Sequence, residues 1–483
     1  MQKYKMYING EWVEASDGAY YDDYNPYTRK VWAQVADGGQ PEIDAAIDAA
    51  QTAFPAWRDT PPSVKRKLLY KVADIIERRT PDLIKCNAEE CGTCGAMGGF
   101  SAFSTPEYFR EAASQVFMVH GEVIPTDTPD TLSMKWVQPL GVIGSITPWN
   151  VPTLLGARGI ACPIAYGNTV VLKSSECSAY SGSIFLAECF DEAGFPPGVM
   201  NVVTVGPGKS RLVGDTFTSD PRVKAMHFTG STAVGKHLNE QCAGHFKKIA
   251  LELGGDDPII VTADADLEYA ASCATFGRFM HQGQVCMGTK RVVVEEAVAD
   301  ELERKLVEHA EALPCGDPLD EKNFIGPLQN ETQIEECVKD VENARAQGAK
   351  VLCGGQKLEG WMYQPTVMEV TEEMPIAQKE IFGPVLKVLR AKDAEDAIRI
   401  ANNTAYGLSS GIVAGNGYDA IQMAQRIESG ICHINDCSLD DHPHAPFGAA
   451  KQSGMGNNGM ETIHEYTQTR WVTISLKNKQ YPV

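Results

Sequence analysis

Apolar residues recur at steps of three and four in two stretches near the start of the chain. The first set is Ile43, Ile47, Ala50, Phe54 and Trp57, and the second is Val64, Leu68, Leu69, Val72, Ile75 and Ile76. Because an α-helix turns once in 3.6 residues, each set lies on one helix face. The pattern therefore predicts two amphipathic helices.

From position 141 onward, short apolar runs alternate with helical segments. The runs fall in two series, 141–146, 169–172, 201–205 and 223–228, and then 258–261, 291–294, 385–389 and 411–413. Continuous apolar runs separated by helices are typical of parallel sheets that are covered on both faces. We therefore expect an α/β protein with two parallel-sheet domains.

A segment of different texture interrupts this order. Residues 121–139 contain two apolar runs around the turn-forming sequence 126–130, and a further β-type run follows at 469–475. Strands that leave an α/β domain offer free edges for pairing. We expect the arm at 118–138 and the terminal strand to pair across subunits of an oligomer.

Composition narrows the class of protein. The chain has 483 residues, 43% of them hydrophobic and 22% charged, and a net charge of −20. This charge disfavours nucleic acid and anionic membranes as partners. The 14 cysteines suit a reducing compartment, and the first residues do not form the apolar core of a signal peptide. We expect a cytoplasmic protein without a membrane span.

Two sets of residues raise the question of a metal. Cys91 and Cys94 have C-x-x-C spacing, and His442 and His444 share a polar loop. No second Cys or His pair follows at the spacing of a zinc site. We therefore predict no metal.

Three residues could carry covalent chemistry. Cys286 lies in Gly283-Gln284-Val285-Cys286-Met287, where its thiolate would be a strong nucleophile and its N–H could donate to an oxyanion. Glu252 lies between apolar and glycine neighbours that favour a general base. Asn150 ends a strand and could donate to the same oxyanion. Taken singly, these are also common structural residues.

Two further stretches could hold a dinucleotide. Residues 228–235 connect a strand to a helix, so the free N–H groups and the Ser231 hydroxyl could bind a pyrophosphate. Lys173 and Glu176 end another strand, where a carboxylate could accept both ribose hydroxyls and disfavour a 2′-phosphate. A plain connection and two solvated charges are the alternatives.

In their joint order, these motifs resemble the aldehyde dehydrogenase superfamily along nearly the whole chain. The matching motifs are Pro148-Trp149-Asn150, Lys173-x-x-Glu176, Phe228-Thr229-Gly230-Ser231, Leu251-Glu252-Leu253-Gly254-Gly255, Gly283-Gln284-Val285-Cys286, Glu380-Ile381-Phe382-Gly383-Pro384 and Pro446-Phe447-Gly448. The resemblance implies two Rossmann-like parallel-sheet domains with a small β oligomerisation arm. It places the NAD-binding domain at 1–117 and 139–252, the catalytic domain at 253–450 and the arm at 118–138 and 466–483.

The same resemblance implies an NAD-dependent, hydrolytic aldehyde dehydrogenase that forms a homodimer or homotetramer. Cys286 would be the nucleophile, Glu252 the base and Asn150 part of the oxyanion hole. The residues expected to hold NAD are Ile146, Thr147, Trp149, Lys173, Glu176, Gly230, Ser231, Val234, Leu253, Glu380 and Phe382. Retention of Glu252 favours release of the free acid over acyl transfer to coenzyme A.

The expected substrate is an aromatic aldehyde. Residues 150–158 and 281–287 resemble the branch that acts on benzaldehyde, salicylaldehyde and vanillin, which implies substrate contacts for Val151, Leu155, Arg158 and Met287. A guanidinium at position 158 suits either an aryl ring or an acidic semialdehyde. Arg158 could instead pair with a nearby acid, remote from substrate.

Three features depart from the family pattern. The departures are the acidic pair Asp256-Asp257, Ala449-Ala450 and the loop 435–444.

Two other functions remain open. The first alternative function is an NAD-independent cysteine hydrolase that pairs Cys286 with His281 or His464. The second is a non-catalytic relative that acts in binding. An aliphatic or acidic semialdehyde is the alternative substrate.

Overall fold

The computed structural model describes residues 1–483 and contains 14 α-helices. They span Gln40–Asp59, Pro62–Arg78, Thr80–Cys91, Gly95–Gln115, Pro152–Ala165, Phe185–Ala193, Ser210–Ser219, Thr232–Gly244, Leu267–Phe279, Ala299–Glu311, Glu331–Ala346, Ala394–Asn402, Gly417–Ala424 and Ile463–Tyr466. The first two confirm the helices predicted from the apolar period. Val64 nevertheless lies exposed, because it occupies the first turn of its helix.

The first large sheet has eight strands. In spatial order they are Gly454–Met455, Lys248–Glu252, Val223–Thr229, Val142–Ile146, Thr169–Lys173, Met200–Val202, Met6–Ile8 and Glu11–Val13. The five strands from Lys248–Glu252 to Met200–Val202 run parallel, and the outer strands join them antiparallel. The first predicted series of strands is therefore confirmed.

The second large sheet has seven strands. They are Lys350–Cys353, Thr366–Glu369, Val385–Ala391, Arg291–Glu295, Pro258–Val261, Gly411–Val413 and His433–Ile434. All pairs are parallel except the first. The division of the chain into domains at 252–253 stays a prediction.

Two three-stranded sheets stand apart from the large ones. The first joins Gln2–Tyr4, Val31–Ala36 and Tyr20–Tyr24, and the second joins Thr467–Ser475, Thr131–Pro139 and Glu122–Ile124. In the second, the terminal strand pairs with Thr131–Pro139 of its own chain, from Thr467 opposite Pro139 to Ser475 opposite Thr131. The terminal strand and the arm thus form one sheet, in which the outer edge of the terminal strand has no partner.

Four two-residue strands tie the last third of the chain together. Tyr406–Gly407 pairs with Ala450–Lys451, and Phe447–Gly448 pairs with Asn457–Asn458. The second pair carries Asn458 to the end of the Lys248–Glu252 strand, where its side chain meets Glu252. None of the helices combines the length and apolar character needed to cross a bilayer.

Candidate active site

A cavity of about 300 Å³ lies where the carboxyl ends of strands from the first sheet face loops of the second. Asn150 follows the strand Val142–Ile146, Thr229 ends its own strand, and Glu252 ends the next. Cys286 and Glu380 reach the cavity from the other side. Polar groups at the carboxyl ends of parallel strands converge in this way because all these strands end at one edge.

The backbone before Cys286 is held in an uncommon conformation. After the helix Leu267–Phe279, three successive residues have positive φ angles, His281 at 52°, Gln282 at 55° and Gly283 at 74°. Left-handed backbone costs a non-glycine residue of order 1 kcal/mol and persists only where surrounding contacts impose it. Here the Gln282 amide donates to the carbonyls of Gly92 and Pro327, at 2.9 Å each. These bonds fix the turn that presents Cys286.

The Cys286 side chain is partly exposed to the cavity. Burial raises the pKa of its thiol to about 12, and the charges of Lys290 and Arg158 oppose that rise only in part. Lys290 also donates to the Cys286 carbonyl. The thiol is therefore protonated at neutral pH, so it must lose this proton before the sulfur can attack an electrophile.

Asn150 is positioned by the chain that leads to Cys286. Its amide nitrogen donates to the carbonyl oxygen of Gln284 at 2.9 Å. The Gln284 side chain in turn accepts the N–H of Gln329 at 2.9 Å. One hydrogen of the Asn150 amide is thus occupied, and the other remains for an oxygen bound in the cavity.

Glu252 is 7% exposed and accepts hydrogen bonds at both oxygens. Arg158 donates to Oε2 at 3.0 Å and the Thr229 hydroxyl to the same oxygen at 3.1 Å. The Asn458 amide donates to Oε1. These partners keep the carboxylate at the cavity wall it shares with Cys286.

Arg158 is buried and does not line the cavity. Besides Glu252, it pairs with Asp441 from the loop 435–444, and its guanidinium lies 4.2 Å from the centre of the Phe447 ring. The alternative predicted for Arg158, pairing with nearby acids, is present. One of those acids, Glu252, lines the cavity.

The other predicted substrate residues lie in the same region. Val151, Leu155 and Met287 are all less than 9% exposed and belong to the apolar cluster against which Cys286 packs. Leu155 also lines the cavity.

Lys173 and Glu176 lie at the end of the strand Thr169–Lys173, as predicted. The Lys173 ammonium is 3.6 Å from Glu176 and donates to the Ser210 hydroxyl at 2.7 Å, and Ser210 donates to Glu176 at 3.2 Å. Burial lowers the pKa of Lys173, and Glu176 opposes that change. The two side chains therefore form an ordered ion pair, and are not two solvated charges.

The predicted strand-to-helix connection is confirmed. Gly230 and Ser231 line the cavity, and the helix Thr232–Gly244 begins directly after them. The Ser231 side chain makes no capping bond and Val234 is 47% exposed, so the first-turn N–H groups face an accessible space. Leu253 packs against Gly235, where any side chain would collide with it.

Ile146, Thr147 and Trp149 follow one another at the end of the central strand. The Thr147 N–H donates to the Lys173 carbonyl at 3.0 Å, and its buried hydroxyl has no partner. The Trp149 ring meets Phe382 edge to face, with centres 5.5 Å apart. Both rings line the cavity.

Glu380 completes the far side of the cavity. It accepts the Gly255 N–H at 3.2 Å and lies 3.7 Å from the Lys290 ammonium. Burial raises the pKa of Glu380 to about 7, against the opposing charge of Lys290. A side chain at Gly254 would collide with this carboxylate and force it to move.

The acidic pair Asp256-Asp257 is neutralised by buried cations. Asp257 pairs with Lys290 at 2.9 Å, and Asp256 pairs with Lys387 at 2.7 Å and Arg291 at 3.1 Å. Burial lowers the pKa of Lys387 to about 8, against the adjacent Asp256. These acids support the loops behind Cys286 and Glu380.

The remaining candidate residues lie apart from the cavity. Cys91 contacts Ser181 at 3.7 Å, and all 14 cysteines are free thiols. No group of three or more His, Cys, Asp or Glu residues could hold a metal ion. The rings of His442 and His444 are 5.7 Å apart.

Neither histidine considered for a hydrolase contacts Cys286. Both ring nitrogens of His281 are buried without a partner, and burial lowers its pKa to about 4. His464 pairs instead with Glu461 at 3.7 Å. A Cys–His pair of the hydrolase type is absent.

Five further residues reach the site from separate segments: Thr229, Lys290, Tyr108, Asn458 and Asp441. Thr229 lies in the motif 228–231 and Asp441 in the unusual loop 435–444. Lys290, Tyr108 and Asn458 carry no signal in the sequence, because only the folded chain brings them to the site.

Comparison with known proteins gives a consistent result. The model of the aldehyde dehydrogenase family matches residues 12–472. A vanillin dehydrogenase from Pseudomonas fluorescens is 39% identical over 483 residues, covering 99% of this chain and 99% of that protein.

Two solved structures are similar over nearly the whole chain. A salicylaldehyde dehydrogenase from Pseudomonas putida G7, complexed with salicylaldehyde, has a TM-score of 0.97 and 40% identity, covering 100% of both chains. An NAD-dependent aldehyde dehydrogenase from Sinorhizobium meliloti has a TM-score of 0.95 and 35% identity, covering 100% of this chain and 96% of that one.

The protonated state of Cys286 predicts its reactivity. Below a pKa of about 12, the thiolate fraction rises tenfold per pH unit. We expect alkylation of Cys286 by iodoacetamide to accelerate by about 100-fold between pH 7 and pH 9. Mass spectrometry of its peptide measures the rate, with Cys286→Ser as control. A rate that levels off below pH 9 would contradict the prediction.

Proposed function

Because the chain belongs to the aldehyde dehydrogenase family, we propose that it oxidises an aromatic aldehyde to the carboxylic acid with NAD. The observation that carries this proposal is that Cys286, Glu252 and Asn150 line one cavity together with Trp149 and Phe382. A nucleophile, a base and an amide donor around one space are the groups that acyl chemistry needs.

The residues present fit a dinucleotide. First-turn N–H groups at Ser231 suit a pyrophosphate, the Lys173–Glu176 unit suits the hydroxyls of an adenosine ribose, and Glu380 and Phe382 lie at the other end of the cavity. Ile146, Thr147, Trp149, Gly230, Val234 and Leu253 complete the proposed set. When bound, NAD accepts the hydride of the substrate carbon.

The first step forms a covalent bond to the enzyme. The Cys286 thiol loses its proton to solvent, and the sulfur then attacks the carbonyl carbon. The Asn150 amide and the Cys286 N–H hold the resulting oxyanion. Loss of hydride from this carbon leaves a thioester on Cys286.

The second step hydrolyses the thioester. Glu252 takes a proton from water as the water oxygen bonds to the carbonyl carbon. The oxyanion forms again beside Asn150, and the carbon–sulfur bond then breaks. The products are the carboxylic acid and the free Cys286 side chain.

The charges around Arg158 favour a neutral substrate over an acidic one. Its guanidinium is already shared by Glu252 and Asp441, and it is 4% exposed. A substrate carboxylate would have to displace a buried partner. The surrounding side chains Val151, Leu155, Met287 and Phe447 are apolar, as an aryl ring requires. The substrates named for the similar salicylaldehyde and vanillin dehydrogenases support this choice.

The proposed enzyme is cytoplasmic and forms a homodimer or homotetramer through the sheet of residues 118–138 and 466–483. This sheet exposes large apolar side chains, with Val123 at 70%, Trp471 at 73% and Ile474 at 45%. Exposed apolar side chains beside an unpaired strand edge favour association.

Activity with aryl aldehydes tests the proposed reaction. We expect NADH absorbance to grow with benzaldehyde or vanillin and to fall by at least about 1,000-fold in Cys286→Ala. Cys315→Ala, also partly exposed but outside the cavity, should retain activity. Turnover confined to aliphatic semialdehydes would refute the aromatic assignment. Ester cleavage without NAD, and no aldehyde oxidation, would favour the hydrolase.

The choice between NAD and NADP tests the role of Glu176. Glu176→Gln removes the charge that disfavours a 2′-phosphate, so the preference for NAD over NADP should fall by about tenfold. Glu188→Gln is a matched control, since Glu188 is similarly exposed, at 31% against 27%, and pairs with Arg79. The ratio of kcat/KM for the two cofactors measures the effect. An unchanged ratio in Glu176→Gln would exclude this role.

The mass of the protein in solution tests the proposed oligomer. Light scattering should give two or four times the chain mass of 52.5 kDa. Ile474→Glu places a charge on the exposed arm face and should shift the protein toward the monomer. Tyr418→Glu, at a residue 69% exposed outside the arm, should not. A monomeric wild type would refute the proposal.

A further inference from the structure

The loop 435–444 brings one carboxylate to the guanidinium that also holds Glu252. The Asp441 side chain is 2% exposed and accepts a hydrogen bond from Arg158 Nη2. Arg158 Nη1 donates to Glu252 Oε2 at 3.0 Å. A single buried cation therefore lies between two buried anions.

Tyr108 fixes the orientation of this unit. Its hydroxyl donates to Asp441 Oδ2 at 2.7 Å and accepts a hydrogen bond from Arg158 Nη2 at 2.7 Å. The Phe447 ring covers the guanidinium at 4.2 Å. Arg158 thus cannot turn fully toward either carboxylate.

The charges in this unit are coupled. Burial by itself would lower the pKa of Arg158, but Asp441 and Glu252 outweigh that effect and hold it above the ordinary value. Opposite charges a few ångströms apart in a poorly hydrated site interact strongly. Loss of one anion would give the other the whole attraction of the cation.

The other two hydrogen-bond donors to Glu252, Thr229 and Asn458, are neutral groups. His227 lies behind Thr229, bonded to Thr229 and to the Tyr466 hydroxyl. Burial lowers the pKa of His227, Glu252 opposes that change and Arg158 adds to it, but His227 forms no ion pair with Glu252. Arg158 is the one cation paired with Glu252. A change at Asp441 therefore reaches Glu252 through Arg158.

We propose that Asp441 is a positioning residue that shares the charge of Arg158, so that Glu252 is not drawn fully onto the guanidinium and stays available to the hydrolytic water. This inference rests on the proposed function, in which Glu252 activates the hydrolytic water. Without Asp441, Arg158 would pair with Glu252 alone and hold the carboxylate away from the water. Thioester hydrolysis would slow, whereas hydride transfer would not.

The test compares Asp441→Asn with Asp440→Asn, measured with benzaldehyde and NAD. In Asp441→Asn, the steady-state kcat should fall about tenfold. The single-turnover rate of NADH formation should stay within about twofold of wild type. Asp440→Asn removes a neighbouring charge at a side chain that is 39% exposed and faces His442. The Asp440 carboxylate also accepts the Asp441 N–H at 2.9 Å, a bond that the Asn side-chain oxygen can keep, so both rates should match wild type. Asp441→Glu should restore most of the steady-state rate.

Tyr108→Phe gives a second variant that keeps the ring but removes the hydroxyl that bonds to Asp441. Its kcat should fall in the same direction by about threefold, with single turnover again unchanged. This variant decides the question if Asp441→Asn does not fold, as judged from its thermal unfolding.

Two results would overturn the inference. One is an equal loss of single-turnover and steady-state rates, which would show general damage to the site. The other is wild-type kinetics in both Asp441→Asn and Tyr108→Phe. If the wild type does not oxidise the aldehyde, the proposed function fails and this inference with it. If the wild type is active and the variants are unaffected, only this inference fails.

Discussion

The buried charge of Arg158 is the constraint on which the site depends. An unpaired guanidinium in the interior costs several kcal/mol, so the fold must supply anions to it. Glu252 comes from a strand of the first sheet and Asp441 from a loop near the chain end. Pairing both with one cation joins distant segments at the point where the chemistry takes place. The same ion pairs therefore hold the structure together and position Glu252, the proposed base.

The sequence predicts the reactive groups better than their partners. Cys286, Glu252 and Asn150 lie in local motifs whose neighbours narrow their chemistry, and the structure brings all three to one cavity. Tyr108 and Asn458 lie in no such motif, and each reaches the site across more than 40 residues. Local spacing carries no information about such contacts, because they depend on how the sheets pack.

The fold shows the same division. The central strands and the first helices follow from the spacing of apolar residues. A strand buried on both faces is apolar throughout, and a helix buried on one face is apolar at steps of three and four. The two-residue strands at Phe447–Gly448 and Asn457–Asn458 have no periodic signal, because two residues span only a single repeat. The terminal strand was recognisable, but its partner was not. Residues 131–139 pair with it over nine positions within one chain.

The paired charges behind the cavity also restrict how this protein can change over generations. Asp257 and Lys290 lie in separate segments, as do Asp256 and Lys387, and each pair is buried. Replacing one member leaves an uncompensated charge, which is more harmful than replacing both. Neutral drift at these positions must therefore pass through paired substitutions. The acidic pair after the two glycines is thus tied to its buried cations Lys290, Lys387 and Arg291.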